Sequence, residues 1–185
     1  MKQLKTKKDI FEIIKQDKWM IEVLRIVKEL DLLDWYIGAG FVRNKIWDYL
    51  HNYKFRTPLN DIDIIYFDKE NIDEKYEKEY EEKLKLIDSK INWSVTNQAR
   101  MWKINGHQIY HSSEEALSYW PETATCVGLR IDKNNKLLLI SPHGINDLLN
   151  LTIRFNTLSN KASYKSRLKE KQWKNKWPKL KIFLL

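Results

Sequence analysis

Thr57-Pro58-Leu59-Asn60-Asp61-Ile62-Asp63-Ile64-Ile65-Tyr66-Phe67-Asp68 sets two aspartates, one residue apart, at the head of a run of β-forming residues. Side chains alternate along a strand, so Asp61 and Asp63 are expected on one face while Ile62 and Ile64 point into a core. Carboxylates held on a rigid strand suit divalent cations, which take hard oxygen ligands, and two-metal phosphoryl transfer uses such a pair. A strand that merely exposes one polar face would carry the same letters. A calcium loop would not: it needs glycine sixth and glutamate twelfth, and the chain has Tyr66 and Ile72 there.

The preceding stretch narrows the choice. Asp34-Trp35-Tyr36-Ile37-Gly38-Ala39-Gly40 reads as a short strand ending in a small-residue turn. Residues 41–50 then read as a helix, with Val42, Ile46, Tyr49 and Leu50 at helical spacing. Small residues let a phosphate approach the backbone, and a helix start supplies free N–H groups and a positive dipole end. Tight strand–helix packing would use the same residues. The dinucleotide fingerprint and the P-loop are both excluded, since neither a third glycine nor Gly-Lys-Ser/Thr follows.

A small-residue turn opening a helix, followed by an Asp-x-Asp strand, resembles the nucleotidyltransferase superfamily of the DNA polymerase beta type. More narrowly, the chain is similar to a bacterial family of uncharacterised nucleotidyltransferases. The resemblance rests on Ala39-Gly40-Phe41-Val42-Arg43-Asn44 with Trp47-Asp48, on residues 57–63, and on Asn97-Gln98-Ala99-Arg100-Met101. It continues through Trp120-Pro121-Glu122-Thr123-Ala124-Thr125 and Gly144-Ile145-Asn146-Asp147-Leu148-Leu149, so that it covers roughly residues 20–175.

That resemblance implies an α/β (α+β) nucleotidyltransferase fold, a twisted mixed sheet flanked by helices. It implies two Mg²⁺ ions, with Mn²⁺ as an alternative, held by Asp61 and Asp63 and usually by a third carboxylate on a neighbouring strand. The substrate would be a nucleoside triphosphate whose nucleoside monophosphate moves to an unknown acceptor: a small molecule, a protein or RNA. Gly38, Ala39 and Gly40 are expected at the phosphates, with Arg43 and Asn44 reaching the triphosphate, because a guanidinium can bind two oxygens. Arg43 has a second reading, as a partner of Asp48 or a cap. The neighbouring strand offers no carboxylate, only Asn97 as a neutral metal ligand; Glu122 and Asp147 are substitutes placed by sequence alone. The alternative function is a catalytically inactive nucleotide- or RNA-binding module on the same fold.

The 185-residue length suggests one domain over residues 1–185. No apolar run approaches the ~20 residues of a membrane span, no signal-peptide centre opens the chain, and the lone Cys126 reads as a buried inert thiol; the cytoplasm is expected. The net charge of +8 belongs to the C-terminal segment, where nine basic residues from Lys161 to Lys181 face a single acid, Glu170. An amphipathic helix is expected around 159–177, with Tyr164/Leu168 and Trp173/Trp177 at i, i+4. Its lysines could hold nucleic acid; a helix docked by its tryptophans with solvated lysines outside is the favoured reading.

Elsewhere, Asp17 caps a helix striped by Met20, Val23, Leu24 and Val27, and residues 73–85 form a solvated helix with Glu74/Lys78, Glu79/Lys83 and Glu81/Lys85 pairs. Residues 92–96 read as a strand, 113–119 as a short helix, and 122–131 with 136–140 as a hairpin. His107 and His111 have zinc-pair spacing but follow Asn105-Gly106 in a turn, and His51 and His143 read as surface loop residues.

Overall fold

The computed structural model describes residues 3–185, so the first two positions of the expected unit lie outside the described residues. In chain order come helices α1 (Lys7–Lys15) and α2 (Lys18–Lys28), strand β1 (Tyr36–Gly38), helix α3 (Gly40–Leu50) and strand β2 (Ile62–Tyr66). Helix α4 (Glu74–Ile87), strand β3 (Trp93–Asn97) and helices α5 (Gln98–Asn105) and α6 (Ser113–Ser118) follow. After a 3₁₀ turn (Thr123–Thr125) come β4 (Gly128–Ile131), β5 (Leu137–Ile140), α7 (Asn146–Leu149) and β6 (Thr152–Ile153). The chain closes with α8 (Lys161–Lys171), α9 (Trp173–Lys176) and β7 (Lys181–Ile182).

Five strands form a mixed sheet in the order β3-β2-β1-β4-β5. Within it only β2 and β3 run parallel, with helix α4 as the crossover that parallel pairing requires. Alternation along β2 divides the core. Ile62, Ile64 and Tyr66 enter a large apolar cluster with α1, α2 and α3, whereas Ile65 joins Tyr36, Leu117, Cys126 and Ile140 on the opposite side. Asp63 shares the side of Ile65 by the same alternation. The helix over 18–28 forms as expected, capped by the Asp17 side chain and burying Met20, Val23, Leu24 and Val27.

Several expectations need correction. The helix over 73–85 is not simply a solvated face. Glu77 and Glu81 are buried, and their carboxylates accept the Asn97 (2.8 Å) and Val95 (3.1 Å) backbone N–H groups of the edge strand β3. Arg100 completes the arrangement with a two-pronged bond to Glu77, at 2.9 and 2.6 Å. Such capping removes the exposed ladder that makes edge strands prone to intermolecular pairing. Of the lysine–glutamate pairs within α4, Lys78–Glu81 and Lys85–Glu82 form among the described residues, at i, i+3. The expected hairpin begins later, because residues 123–125 take a 3₁₀ turn; Cys126 follows that turn, is buried, and its thiol is pushed up by burial.

The C-terminal helix is broken. Gln172 takes a left-handed conformation (φ 44°, ψ 43°) between α8 and α9. The reason lies in spacing: Trp173 stands five residues after Leu168, so an unbroken helix would turn it roughly 140° away from the Tyr164/Leu168 stripe. The kink restores both tryptophans to the core, where Trp173 and Trp177 meet Trp47 edge to face at centroid distances of 6.3 and 5.2 Å. Lys161, Lys165 and Lys169 remain outside in solvent.

This end of the chain is anchored on α3. The buried Asp48 carboxylate accepts from Trp177 Nε1 (2.7 Å), Thr57 N (2.8 Å) and Thr57 Oγ1 (2.6 Å). His51, rather than lying on the surface, is buried: its Nδ1 bonds Trp47 O (2.8 Å) and its Nε2 accepts from Lys179 N (3.0 Å). β7 then pairs in parallel with β6.

Glu77→Ala should destabilise the protein by about 3 kcal/mol in urea unfolding, because it strands a β3 amide and the Arg100 guanidinium; Glu77→Gln, which keeps an acceptor, should lose clearly less.

Candidate active site

The turn between β1 and α3 is held in a costly conformation. Ala39 has φ 36° and ψ −101°, a positive φ of the kind that costs on the order of 1–3 kcal/mol and concentrates at functional sites. Its N–H donates to Val127 O (2.9 Å) and its carbonyl accepts from Arg43 N (2.8 Å). No side chain caps α3, so its first N–H groups and dipole end open toward the head of β2. Gly38 serves packing: a Cβ there would stand 2.9 Å from the Trp120 ring. Ala39 and Gly40, not Gly38, line the adjoining cleft.

That cleft, about 200 Å³, brings Asp61 and Asp63 together with Ala39, Gly40, Arg43 and Asn44. Asp61 is exposed and Asp63 is largely covered. Among the described residues neither carboxylate accepts a hydrogen bond or forms an ion pair. Burial, and then the neighbouring Asp61 charge, raise the Asp63 pKa to about 6, against the pull of Arg43, Arg167 and Lys171. Two unneutralised carboxylates side by side are an arrangement that a bound cation would relieve.

Arg43 supplies the nearest fixed positive charge. Its Nε and Nη2 donate to Asn44 Oδ1 (3.2 and 2.9 Å), and its guanidinium lies 5.2 Å from both the Trp47 and Trp173 rings. Burial lowers its pKa to about 10, which still leaves it charged at neutral pH. Asp48 is not its partner, being occupied by Thr57 and Trp177.

Three further cations, Arg167, Lys171 and Lys176, overhang the acids from α8 and α9. Sequence reasoning placed them in a basic segment and not in the site. The signal was present: positions 164, 167, 168 and 171 form one i, i+3, i+4, i+7 stripe, so Arg167 and Lys171 share the inward face with Tyr164 and Leu168. Arg167 is fixed there by Glu122, fully buried, whose Oε1 accepts from Arg167 Nε at 2.8 Å.

The candidates for a third acid are committed elsewhere. Asn97 is buried; its Oδ1 accepts from the Asp68 and Ala99 amides (both 3.1 Å), and its Nδ2 donates to Asp68 O (2.7 Å) and Asn71 O (3.0 Å). It is the N-cap of α5, three positions along β3 from Ser94, the register partner of Asp63. Glu122 holds Arg167 and Thr125, and Asp147 holds Thr123 and Arg154. His107 and His111 follow the left-handed Gly106, and among the described residues no group of three or more His, Cys, Asp or Glu is clustered for a metal.

A second cleft of about 380 Å³ meets the first at Ala39, Asp63 and Arg167. One wall carries His107 stacked on Tyr119 (centroids 4.5 Å apart, planes 27°), with Trp120 beside them; the start of α8 forms the other.

Residues 25–182 match a family model described as nucleotidyltransferase. An NMR structure reported to reveal a CCA-adding enzyme head domain superposes with a TM-score of 0.86 at 32% identity, covering 98% of each chain. The Thermotoga maritima CCA-adding enzyme complexed with tRNA superposes at 0.59 and 16% identity, over 94% of this chain and 42% of its own. A CCA-adding enzyme complexed with CTP gives 0.57 and 16%, over 99% and 44%. The chain spans under half the length of those two enzymes, and the likeness to them is one of fold. No functionally curated protein matches the sequence.

Asp63 ionises near pH 3.8 in an unfolded chain and near pH 6 when folded. The stability it contributes is therefore complete below about pH 4 and lost as pH rises through about 6. Asp63→Asn should accordingly raise stability at pH 8 by about 1–3 kcal/mol, with the gain shrinking between pH 6 and 4 in urea titrations at each pH.

Proposed function

The chain belongs to the nucleotidyltransferase family, and from that premise we propose that it moves a nucleoside monophosphate from a nucleoside triphosphate to an acceptor. The carrying observation is that one cleft joins the uncapped start of α3, the unpaired Asp61 and Asp63, and the cations Arg43, Arg167 and Lys171. The ring of cations matches the charge of a polyphosphate, and the two acids match the hard divalent ions that accompany one.

Asp61 and Asp63 would hold Mg²⁺, or Mn²⁺ in its place. When bound, these ions supply charge neutralisation at the phosphates and a lowered pKa for the acceptor hydroxyl. The chain's own groups do the positioning. The α3 amides and Gly40 take phosphate oxygens, Asn44 aims the Arg43 fork, and Glu122 fixes Arg167 above Asp63. In the transfer, the acceptor hydroxyl gives up its proton to water and its oxygen bonds to the α-phosphorus as the bond to pyrophosphate breaks, in line. Arg43 and Arg167 then face the charge that collects on the leaving pyrophosphate.

A second reading has its own support. Next to Asp63 and Ile65, β3 presents Ser94 and Thr96 and no carboxylate. A protein so equipped could hold nucleotide without transferring it. Among relatives, CCA-adding enzymes have been solved with CTP, ATP and tRNA; nucleotides are our proposed ligands here, and the exposed α8 lysines suit RNA. We place the protein in the cytoplasm, and none of its described helices is long and apolar enough to cross a membrane.

Calorimetry with ATP, GTP, CTP and UTP, with and without Mg²⁺, tests both readings. Metal-dependent binding should fall at least about tenfold in Asp61→Ala, which corresponds to about 1.4 kcal/mol, with the fold intact. Binding to wild type that ignores the metal and survives the substitution would sink the metal-dependent transfer reading. Pyrophosphate release in the presence of candidate acceptors would exclude the binding-only one.

A further inference from the structure

Two clefts share the edge formed by Ala39, Asp63 and Arg167, and their chemistry differs. The smaller is ringed by cations. The larger carries Asp63 and Arg167 as the charged groups of its lining; Gln98, Asn105 and Ser163 supply neutral hydrogen-bonding groups. Its aromatic wall is organised. His107 stacks on Tyr119, and its ring also meets the buried Tyr110 through a hydrogen bond to that hydroxyl. Burial lowers the His107 pKa, which keeps the ring neutral and leaves the wall without charge.

In-line displacement fixes which side of Asp63 each reactant occupies. The attacking oxygen and the leaving pyrophosphate lie on opposite sides of the α-phosphorus. If the polyphosphate runs along Arg43, Arg167 and Lys171, the attacking oxygen comes from the far side of the shared edge, from the larger cleft. We propose, building on the transfer reading, that this cleft is the acceptor site and that it takes a small neutral ring bearing hydroxyls, a nucleoside or a sugar.

Three observations select that class. Aromatic faces flanked by amide and hydroxyl groups bind flat or pyranose-like rings through their faces and hydroxyls through their edges. A cleft of about 380 Å³ holds one such molecule. The near-neutral lining disfavours a polyamine, and a single lining cation is too little to neutralise the phosphates of an RNA strand. The exposed lysines Lys161, Lys165 and Lys169 are not among the cleft's lining.

The test needs neither metal nor triphosphate. Uridine and glucose are titrated into the full chain by calorimetry, and into Ser163→Trp, a substitution on an exposed position of α8 that fills the cleft from the wall opposite Tyr119. At least one of the two should bind wild type, and its affinity should fall at least about tenfold in Ser163→Trp, while Mg-ATP affinity changes less than about twofold. Tyr119→Ala should weaken ring binding and Tyr119→Phe should retain it. No binding of either ring by a wild type that binds Mg-ATP overturns the proposal. So does competition between uridine and Mg-ATP, which would make this the pocket of the incoming base, or binding only when the nucleoside ends an oligonucleotide. Ring binding without any Mg-ATP binding overturns the transfer reading instead and leaves the ring site standing.

Discussion

The site depends on where Asp48 is held. Its carboxylate lies in the core, where an unpartnered charge would cost several kcal/mol, so it must be surrounded by hydrogen-bond donors. Thr57 meets it from one side and Trp177 from the other. The first bond fixes the start of the segment that delivers Asp61; the second brings α9 across α3 and with it the cations of the cleft. One carboxylate outside the cleft thus sets both the negative and the positive halves of the chemistry. The tryptophan cluster of Trp47, Trp173 and Trp177 surrounds it with apolar surface and strengthens the hydrogen bonds inside.

The cleft itself is assembled against local preference. Ala39 sits at a positive φ, Asp61 and Asp63 repel each other without a partner, and Arg43 is desolvated. Each is unfavourable for folding and favourable for recognising a polyanion with its counterions. The rest of the molecule compensates through ordinary means: an apolar core reaching from Leu4 to Leu180, a capped edge strand, and the Asp17 carboxylate. At Asp17 burial would raise the pKa, but hydrogen bonds from Arg56 and Lys45 outweigh it.

Much of this was legible in the sequence, for identifiable reasons. The β2 strand and the α3 helix follow from alternation and from 3.6-residue spacing, which are local signals. The Asp17 cap is equally local, since its side chain bonds a neighbouring amide. What escaped depends on distant partners. Glu77 and Glu81 look like surface charges until β3 is laid beside them. Asn97 looks available until its four bonds to backbone are counted. Arg167 joins the site only because Trp173 and Trp177 turn α8 over the acids. The Gln172 break could have been read from the five-residue step between Leu168 and Trp173, yet which half of the helix would dock was a tertiary matter.

β7 pairs in parallel with β6, and the same late stretch reaches back through Trp177 and Lys179 to Asp48 and His51. Residues 177–183 secure the helices that roof the cleft, while the acids themselves lie near residue 60. The floor of the site, Asp61 and Asp63, and its roof, Arg167, Lys171 and Lys176, therefore come from stretches about a hundred residues apart. The cleft exists only where the two are folded together, with Arg43, among the described residues, as the one cation of its lining that comes from the same part of the chain as the acids.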